Sequence, residues 1–241
     1  MWPRFISLLL FILITLAGAG QASFDVLVFS KTNGFRHSSI PAGQAAIEKL
    51  SVEMGFNVQF SEDSTAFTED NLDTLEVVIF LNTTGDILDD TGQDAFKRFI
   101  ENGGGFIGIH SATDTEYDWP WYGKLVGAYF DSHPAIQQAG LNVIDANHPS
   151  TAHLPAAWTR EDEWYNFKAP LAPSISVLVT IDEQSYDGGA MGDPHPISWY
   201  QEFSGGRSFY TAMGHTEASY AEQKFLDHLM GGIKWVSQSM Q

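Results

Sequence analysis

Three short runs of apolar residues constrain the fold of this chain more than any other feature of its sequence. They are FDVLVF at 24–29, VVIFLN at 77–82 and GFIGI at 105–109. Each run has the length of one β-strand, and each is apolar on both faces apart from isolated positions such as Asp25. Strands that are buried on both faces are typical of parallel sheets covered by helices.

Helix signals separate these runs. Pro41 lies in the first turn of a predicted helix that ends at Gly55, and Thr68 starts a short helix. A further strand, FNVQF, follows Gly55. The segment DDTGQDAFKRFIENGG is predicted to form an amphipathic helix that ends at Gly103. The alternation of strands and helices predicts an α/β fold with a mainly parallel central sheet.

The second half of the chain is less regular than the first. Alternation of apolar and polar residues returns in the segments AGLNVID, SVLVTI, PISWYQ and RSFYTA, and a last helix is predicted over about residues 220–236. The sequence has no internal repeat and no low-complexity linker. Residues 23–241 are therefore predicted to form one domain.

The first 22 residues are predicted to be a secretory signal peptide. Arg4 precedes an apolar run from Phe5 to Ala17, small residues follow, and cleavage is expected after Ala19 or Ala22. The apolar run is short for a membrane span, and an uncleaved N-terminal anchor is the alternative. We therefore expect a secreted or periplasmic protein that has no stable membrane insertion after cleavage.

Composition restricts the partners and the chemistry. The chain has a net charge of -18 at pH 7 and contains no cysteine. Such an acidic chain disfavours binding to nucleic acid and to anionic lipid, because both require a basic surface. The missing thiol excludes disulfides, a lipid-modified cysteine and thiol catalysis. A neutral or cationic small molecule is the expected ligand.

Three histidines follow predicted strands. His37, His110 and His215 come after the first, the fourth and the last of these strands. Ligands of such sheets bind outside the carboxyl ends of the strands, so the three loops are expected to converge on one crevice. Imidazole transfers protons or ligates metals near neutral pH, whereas the alternative for a single histidine is a buried hydrogen-bonding role. Sequence spacing leaves open whether the three share a divalent metal such as zinc.

The segment REDEWYNF places acidic residues beside large aromatic residues. Apolar neighbours raise the pKa of a carboxyl group, so Glu163 is a candidate general acid, with Tyr165 beside it. The alternative is a solvated acidic loop whose aromatic residues turn into the core. His133 and His195 each precede a proline, which favours extended backbone, and Arg207 lies in the same half of the chain.

Seven segments together resemble the ThuA-like family, which is named for a trehalose-utilisation protein. The resemblance extends from about Phe24 to Val236. Its segments, in order, are VLVFSKTNGFRHSSIP, GGGFIGIHSATDT, FDSHP, NHPSTAHLP, DEWYNF, HPISWY and RSFYTAMGHT.

The resemblance implies a flavodoxin-like three-layer α/β/α sandwich, similar to class I glutamine amidotransferases. In those enzymes a nucleophilic cysteine lies on a strand-to-helix elbow within G-x-C-x-G. The segment GIHSA resembles this elbow, with His110 in the place of the cysteine. Because the chain has no cysteine, thioester chemistry on glutamine is excluded, and the fold alone does not name another reaction.

The family's association with sugar catabolism implies a glycoside, a disaccharide or a 3-keto derivative as substrate, and acid–base cleavage or isomerisation as the reaction. The expected catalytic residues are His110, Glu163 and His215. The expected substrate-binding residues are His37, His133, Tyr165, His195 and Arg207. The alternatives are a non-catalytic carbohydrate-binding protein and a metal-dependent hydrolase that uses His37, His110 and His215.

Overall fold

The computed structural model describes residues 24–237 of the chain. The predicted signal peptide lies outside the described residues. Within the described part, the strands are β1 (Asp25–Phe29), β2 (Asn57–Ser61), β3 (Val77–Leu81), β4 (Gly105–Ile109), β5 (Phe130–Ser132), β6 (Gln137–Val143), β7 (Ala157–Asp162), β8 (Asn166–Phe167), β9 (Ser176–Ile181), β10 (His195–Phe203) and β11 (Gly206–Thr211). The helices are α1 (Ile40–Met54), α2 (Glu69–Leu72), α3 (Asp90–Glu101), α4 (Pro120–Val126) and α5 (Gln223–Ser237).

Nine of these strands form one sheet, in the order β2-β1-β3-β4-β11-β10-β9-β6-β7. The first five strands of this order are parallel to one another, and the pairings beyond β11 are antiparallel. Strands β5 and β8 form a separate antiparallel pair. The predicted α/β class with a large central sheet is confirmed. The parallel strands bring the carboxyl ends of β1, β3, β4 and β11 to one edge.

Helices contact both faces of the central strand β4. On one face, α5 approaches Gly105 so closely that a Cβ added at this glycine would lie 2.9 Å from the carbonyl oxygen of Val236. On the other face, the ring of Phe106 lies 5.8 Å from that of Phe96 in α3 and 5.9 Å from that of Tyr122 in α4. This burial on both faces explains why the strand is apolar throughout.

Several local predictions differ from the structure. The last helix begins at Gln223, because a 3₁₀ turn over Glu217–Ala221 precedes it and Thr216 caps that turn. The solvated acidic loop considered for REDEWYNF is wrong, since Asp162, Glu163 and Trp164 are all buried. Strand β7 ends within this segment, and β8 lies at its end. In the described residues, no helix has the length and apolar character to cross a membrane.

The contact of α5 with the loop at Pro149 and Ser150 gives a direct test of the packing. A Cβ added at Gly231 would lie 2.3 Å from the carbonyl oxygen of Pro149 and from Cα of Ser150. We therefore expect Gly231→Ala to destabilise the protein by about 1–3 kcal/mol or more, because backbone atoms must move. Gly140→Ala is the control, since its nearest contact would be at 3.4 Å. Equal urea midpoints for the two variants would contradict this packing.

Candidate functional site

Four titratable side chains meet at the carboxyl edge of the parallel strands. His37 lies in the loop after β1, His110 directly follows β4, His215 follows β11, and Glu163 follows the antiparallel strand β7. Each offers one ligand atom, and these atoms all lie within 4.8 Å of one another. We call these four residues the histidine–glutamate cluster. The structure thus brings together the three histidines that were expected to converge, and it adds Glu163.

His110 occupies a strained backbone position. Its φ is 49°, in the left-handed region that few residues other than glycine adopt. The side chain is fully buried, and Nδ1 donates a hydrogen bond to the carbonyl oxygen of Ala212 at 2.7 Å. This bond fixes the orientation of the ring, so Nε2 faces the cluster. A 3₁₀ turn over His110–Thr113 follows the strand.

Glu163 is in contact with three histidines. Its Oε2 lies 3.1 Å from Nδ1 of His215 and 3.4 Å from Nε2 of His110, and its Oε1 lies 3.0 Å from Nδ1 of His133. Burial acts to raise the pKa of the carboxyl group, but the adjacent imidazoles of His110 and His215 outweigh it, and the pKa lies well below its usual value. Glu163 is therefore ionised at neutral pH. This corrects the expectation of a protonated acid, which considered only the aromatic neighbours.

His37 closes the cluster on the side of β1. Burial lowers the pKa of this histidine to about 3, with a further contribution from His110 and His215 nearby, so the ring is neutral at neutral pH. Ser111 Oγ lies 3.4 Å from its Nδ1. Phe35 packs edge-on against the ring at 4.9 Å, and 66% of Phe35 is exposed. An exposed aromatic side chain therefore borders the cluster.

Asp162 and Asn82, two buried polar residues next to the cluster, hold the loop that carries His215. The carboxylate of Asp162 accepts hydrogen bonds from the backbone N–H groups of Gly214 at 2.9 Å and His215 at 3.2 Å. Arg160 lies 3.3 Å from the same carboxylate. The amide of Asn82, which follows β3, donates to the carbonyl oxygen of Gly214 at 3.2 Å. The position of His215 is therefore fixed from two separate strands, β7 and β3.

Tyr165 and His133 lie beside the cluster. The ring of Tyr165 is 4.2 Å from that of His110 and 6.0 Å from that of His133. Burial raises the pKa of the Tyr165 hydroxyl well above its usual value, so this group stays protonated. His133 is the more exposed of the two, and it reaches the cluster through Glu163.

His195 and Arg207 have other positions. His195 donates from Nε2 to the carbonyl oxygen of Tyr165 at 2.9 Å, and its Nδ1 lies 2.8 Å from Oε1 of Glu183, so it supports the segment of Tyr165. Arg207 is paired in the sheet with Gly105, at the amino end of β4, and donates to the carbonyl oxygen of Trp235. His110 follows the opposite end of β4. Arg207 therefore does not share the crevice of the cluster, contrary to expectation.

Asp114 is a site residue that the sequence reasoning missed. It ends the turn that His110 begins, and it accepts a hydrogen bond from the hydroxyl of Tyr117 at 2.7 Å. Burial raises the pKa of its carboxyl group, while His110 and His133 nearby act in the opposite direction. Ligands of such sheets bind outside the carboxyl ends of the strands. This rule selected His110, and it applies equally to the rest of the segment HSATDT, which contains Asp114.

A cluster of imidazoles and a carboxylate thus lies at the carboxyl edge of an α/β sheet, where domains of the α/β class bind their ligands. The family model ThuA, described as trehalose utilisation, matches residues 25–236. The chain belongs to this family. A search of curated proteins gives no match.

Solved structures give similar folds. A ThuA-like protein from Bacteroides uniformis is 24% identical with a TM-score of 0.76, and the alignment covers 88% of this chain and 91% of that chain. A ThuA-like protein from Parabacteroides merdae is 20% identical with a TM-score of 0.75, covering 89% and 90%. A beta-galactosidase from Bacillus circulans is 14% identical with a TM-score of 0.59, covering 90% of this chain and 31% of that chain. These likenesses concern the fold alone.

Proposed function

We propose that the protein is a carbohydrate-processing enzyme that cleaves or isomerises a disaccharide or glycoside, in particular a 3-keto derivative, by acid–base chemistry. The observation that carries this proposal is the ionised carboxylate of Glu163, held among three histidines at the sheet edge where ligands bind. The description of the family, trehalose utilisation, supports a sugar as the substrate class. The net charge of -18 favours an uncharged sugar over a phosphorylated one. The proposal includes a secreted or periplasmic location.

The chemistry follows from the 3-keto group, which acidifies the neighbouring C2–H bond. Glu163 accepts this proton, and the electron pair of the bond forms an enolate. In cleavage, the enolate expels the C1 oxygen, which leaves with a proton donated by His215, and a C1–C2 double bond remains. In isomerisation, the enolate oxygen at C3 takes the proton of the C2 hydroxyl, the proton held by Glu163 is delivered to C3, and the carbonyl group is then at C2. Each group contributes about 10²–10⁴-fold to the rate.

The other residues bind and orient the sugar in this proposal. His110 faces the cluster with Nε2, and His37, His133 and Tyr165 surround it. Phe35 offers an exposed ring on which the apolar face of a sugar can pack. His195 acts through the backbone of Tyr165, and Arg207 has no role at this site.

Two alternatives use the same residues. A non-catalytic carbohydrate-binding protein would hold sugar with the same aromatic and imidazole groups. A metal-dependent hydrolase is favoured by one specific observation, the convergence of His37, His110 and His215 with Glu163, whose ligand atoms all lie within 4.8 Å of one another. For the fold, we propose the three-layer α/β/α arrangement similar to class I glutamine amidotransferases, which is supported by helices on both faces of β4. Glutamine hydrolysis is excluded by the absence of cysteine.

Product detection tests this function. The chain from Ser23 is incubated with trehalose, sucrose, simple glucosides and their 3-keto forms, and the mixtures are separated by liquid chromatography and mass spectrometry. We expect products from the 3-keto forms and none from the parent sugars, and we expect Arg207→Gln to behave as wild type. Binding without product in every case would support the carbohydrate-binding alternative. The absence of both binding and product with every sugar would contradict a sugar substrate.

A further inference from the structure

We infer that the histidine–glutamate cluster is a binding site for one divalent transition-metal ion of the zinc type, with Glu163 as an oxygen ligand beside His37, His110 and His215. This site goes beyond the proposed acid–base reaction, because the ion would occupy Glu163 and His215, which that reaction uses as free base and proton donor, so the metal-bound cluster is a distinct state of the same residues. The ligands come from four separate segments, and three of the four side chains are buried. Such convergence brings together groups that share one small partner.

The distances between ligand atoms support this inference. Nε2 of His110 lies 3.1 Å from Nδ1 of His215 and 3.4 Å from Oε2 of Glu163, and the latter two atoms are 3.1 Å apart. Bonds of about 2.0–2.2 Å to one ion, at angles of about 90–110°, place neighbouring ligand atoms about 3.0–3.5 Å apart. The three atoms therefore form a triangle of the size that a single ion requires.

One ligand, His110, makes the ring contact that is typical of metal-binding histidines. A ligating histidine commonly donates its other ring nitrogen to a carbonyl or carboxylate oxygen, which fixes the tautomer. His110 does so through Nδ1 to the carbonyl oxygen of Ala212 at 2.7 Å. Its Nε2 in the neutral tautomer is a lone pair directed into the cluster. Asp162 holds the backbone N–H of His215, so this second ligand is also positioned before an ion binds.

A proton on Nδ1 of His215 could bridge His110 and Glu163 without an ion. That explanation accounts for the triangle but leaves His37 without a function, although its ring lies 4.9 Å from that of His110 and 5.0 Å from that of His215. An ion uses all three imidazoles and the carboxylate at once. We therefore commit to the ion, and the proton bridge becomes an outcome of the test.

The donor set selects the class of ion. Three imidazole nitrogens and one carboxylate oxygen suit zinc and neighbouring first-row metals, whereas magnesium and calcium prefer oxygen ligands throughout. Only Oε2 of Glu163 faces the other ligands, and Oε1 is paired with His133 at 3.0 Å. The side chain of His133 is half-exposed, so the side of the cluster next to His133 remains open to a substrate.

Metal analysis of untagged protein tests the site without any sugar. We expect about one zinc-type ion per chain in wild type and in the control variant His153→Gln. His153 is an exposed histidine whose Nε2 donates a hydrogen bond to the carbonyl oxygen of Lys224. We expect His37→Gln and His215→Gln to lose at least ten-fold in affinity for added Zn²⁺. Chelation should lower the thermal midpoint of wild type by several degrees and leave that of the two variants unchanged. Co²⁺ added to the apo-protein should give a visible d–d spectrum that both variants lack.

A folded wild-type chain that takes up no Zn²⁺ or Co²⁺ would overturn the inference and favour the proton bridge. Equal metal affinity in wild type and in both variants would overturn the assigned ligands. Absence of Zn²⁺ and Co²⁺ binding in a chain that turns over a sugar would overturn the metal site while leaving the acid–base proposal intact. One bound ion per chain without turnover of any sugar would support the metal site and contradict the acid–base proposal.

Discussion

Glu163→Gln will reduce the turnover of the sugar that wild type converts by about 10²–10⁴-fold, as expected for loss of a general base. The amide keeps the size of the side chain but neither accepts the substrate proton nor carries the negative charge that His110, His133 and His215 surround. Turnover is measured by chromatography at saturating substrate, and the thermal midpoint shows whether the variant is folded.

The control for this variant lies two residues earlier in the chain. Glu161 is exposed on β7, so Glu161→Gln removes the same charge from the same segment without touching the cluster. We expect this variant to retain wild-type turnover. If Glu163→Gln and Glu161→Gln have equal activity, Glu163 is not the base. If both are inactive although folded, the effect is one of overall charge and the assignment to the cluster fails.

The part of the site that follows strands was predictable from sequence. His37, His110 and His215 each follow an apolar run, and the carboxyl ends of parallel strands meet at one edge, so a strand-level prediction is sufficient to group them. No exact coordinates are needed for this step. The same argument applies to Asp114, which was overlooked because its turn was considered only for His110.

The ionisation state of Glu163 was not predictable in this way. Its sequence neighbours Trp164 and Tyr165 are aromatic, and burial among them does act to raise its pKa. The opposing contacts come from His110 and His215, which are more than 50 residues away in the sequence. Local composition gives the desolvation of a carboxyl group, whereas its partners depend on the tertiary fold.

Arg207 illustrates a different limit. It precedes His215 by only a few residues, and both were assigned to one site. The intervening strand β11 has six residues, and a strand of this length spans about 20 Å. The two side chains therefore lie at opposite ends of the sheet. Closeness in sequence suggests closeness in space within a helix or a turn but suggests the reverse across a strand.

His110 combines a chemical function with a strained backbone, and substitution can separate the two. The φ of 49° costs a residue with a Cβ about 1–2 kcal/mol relative to glycine. We expect His110→Ala and His110→Gly to lose turnover equally, by about 10²-fold, because both remove the imidazole that orients the sugar. We expect the glycine variant to be the more stable of the two by about 1 kcal/mol in urea denaturation.

The reverse order is expected at a helical position. Asp94 is exposed in α3, and there alanine should be more stable than glycine by about 1 kcal/mol, because glycine loses more backbone entropy in a helix. A crossed result, with glycine favoured at 110 and alanine favoured at 94, would show that the chain holds the imidazole in place at the expense of backbone strain. Alanine more stable than glycine at both positions would mean that the left-handed turn does not exist in solution. In that case Nε2 of His110 would not be directed into the cluster, and both the acid–base and the metal assignments would lose their geometric basis.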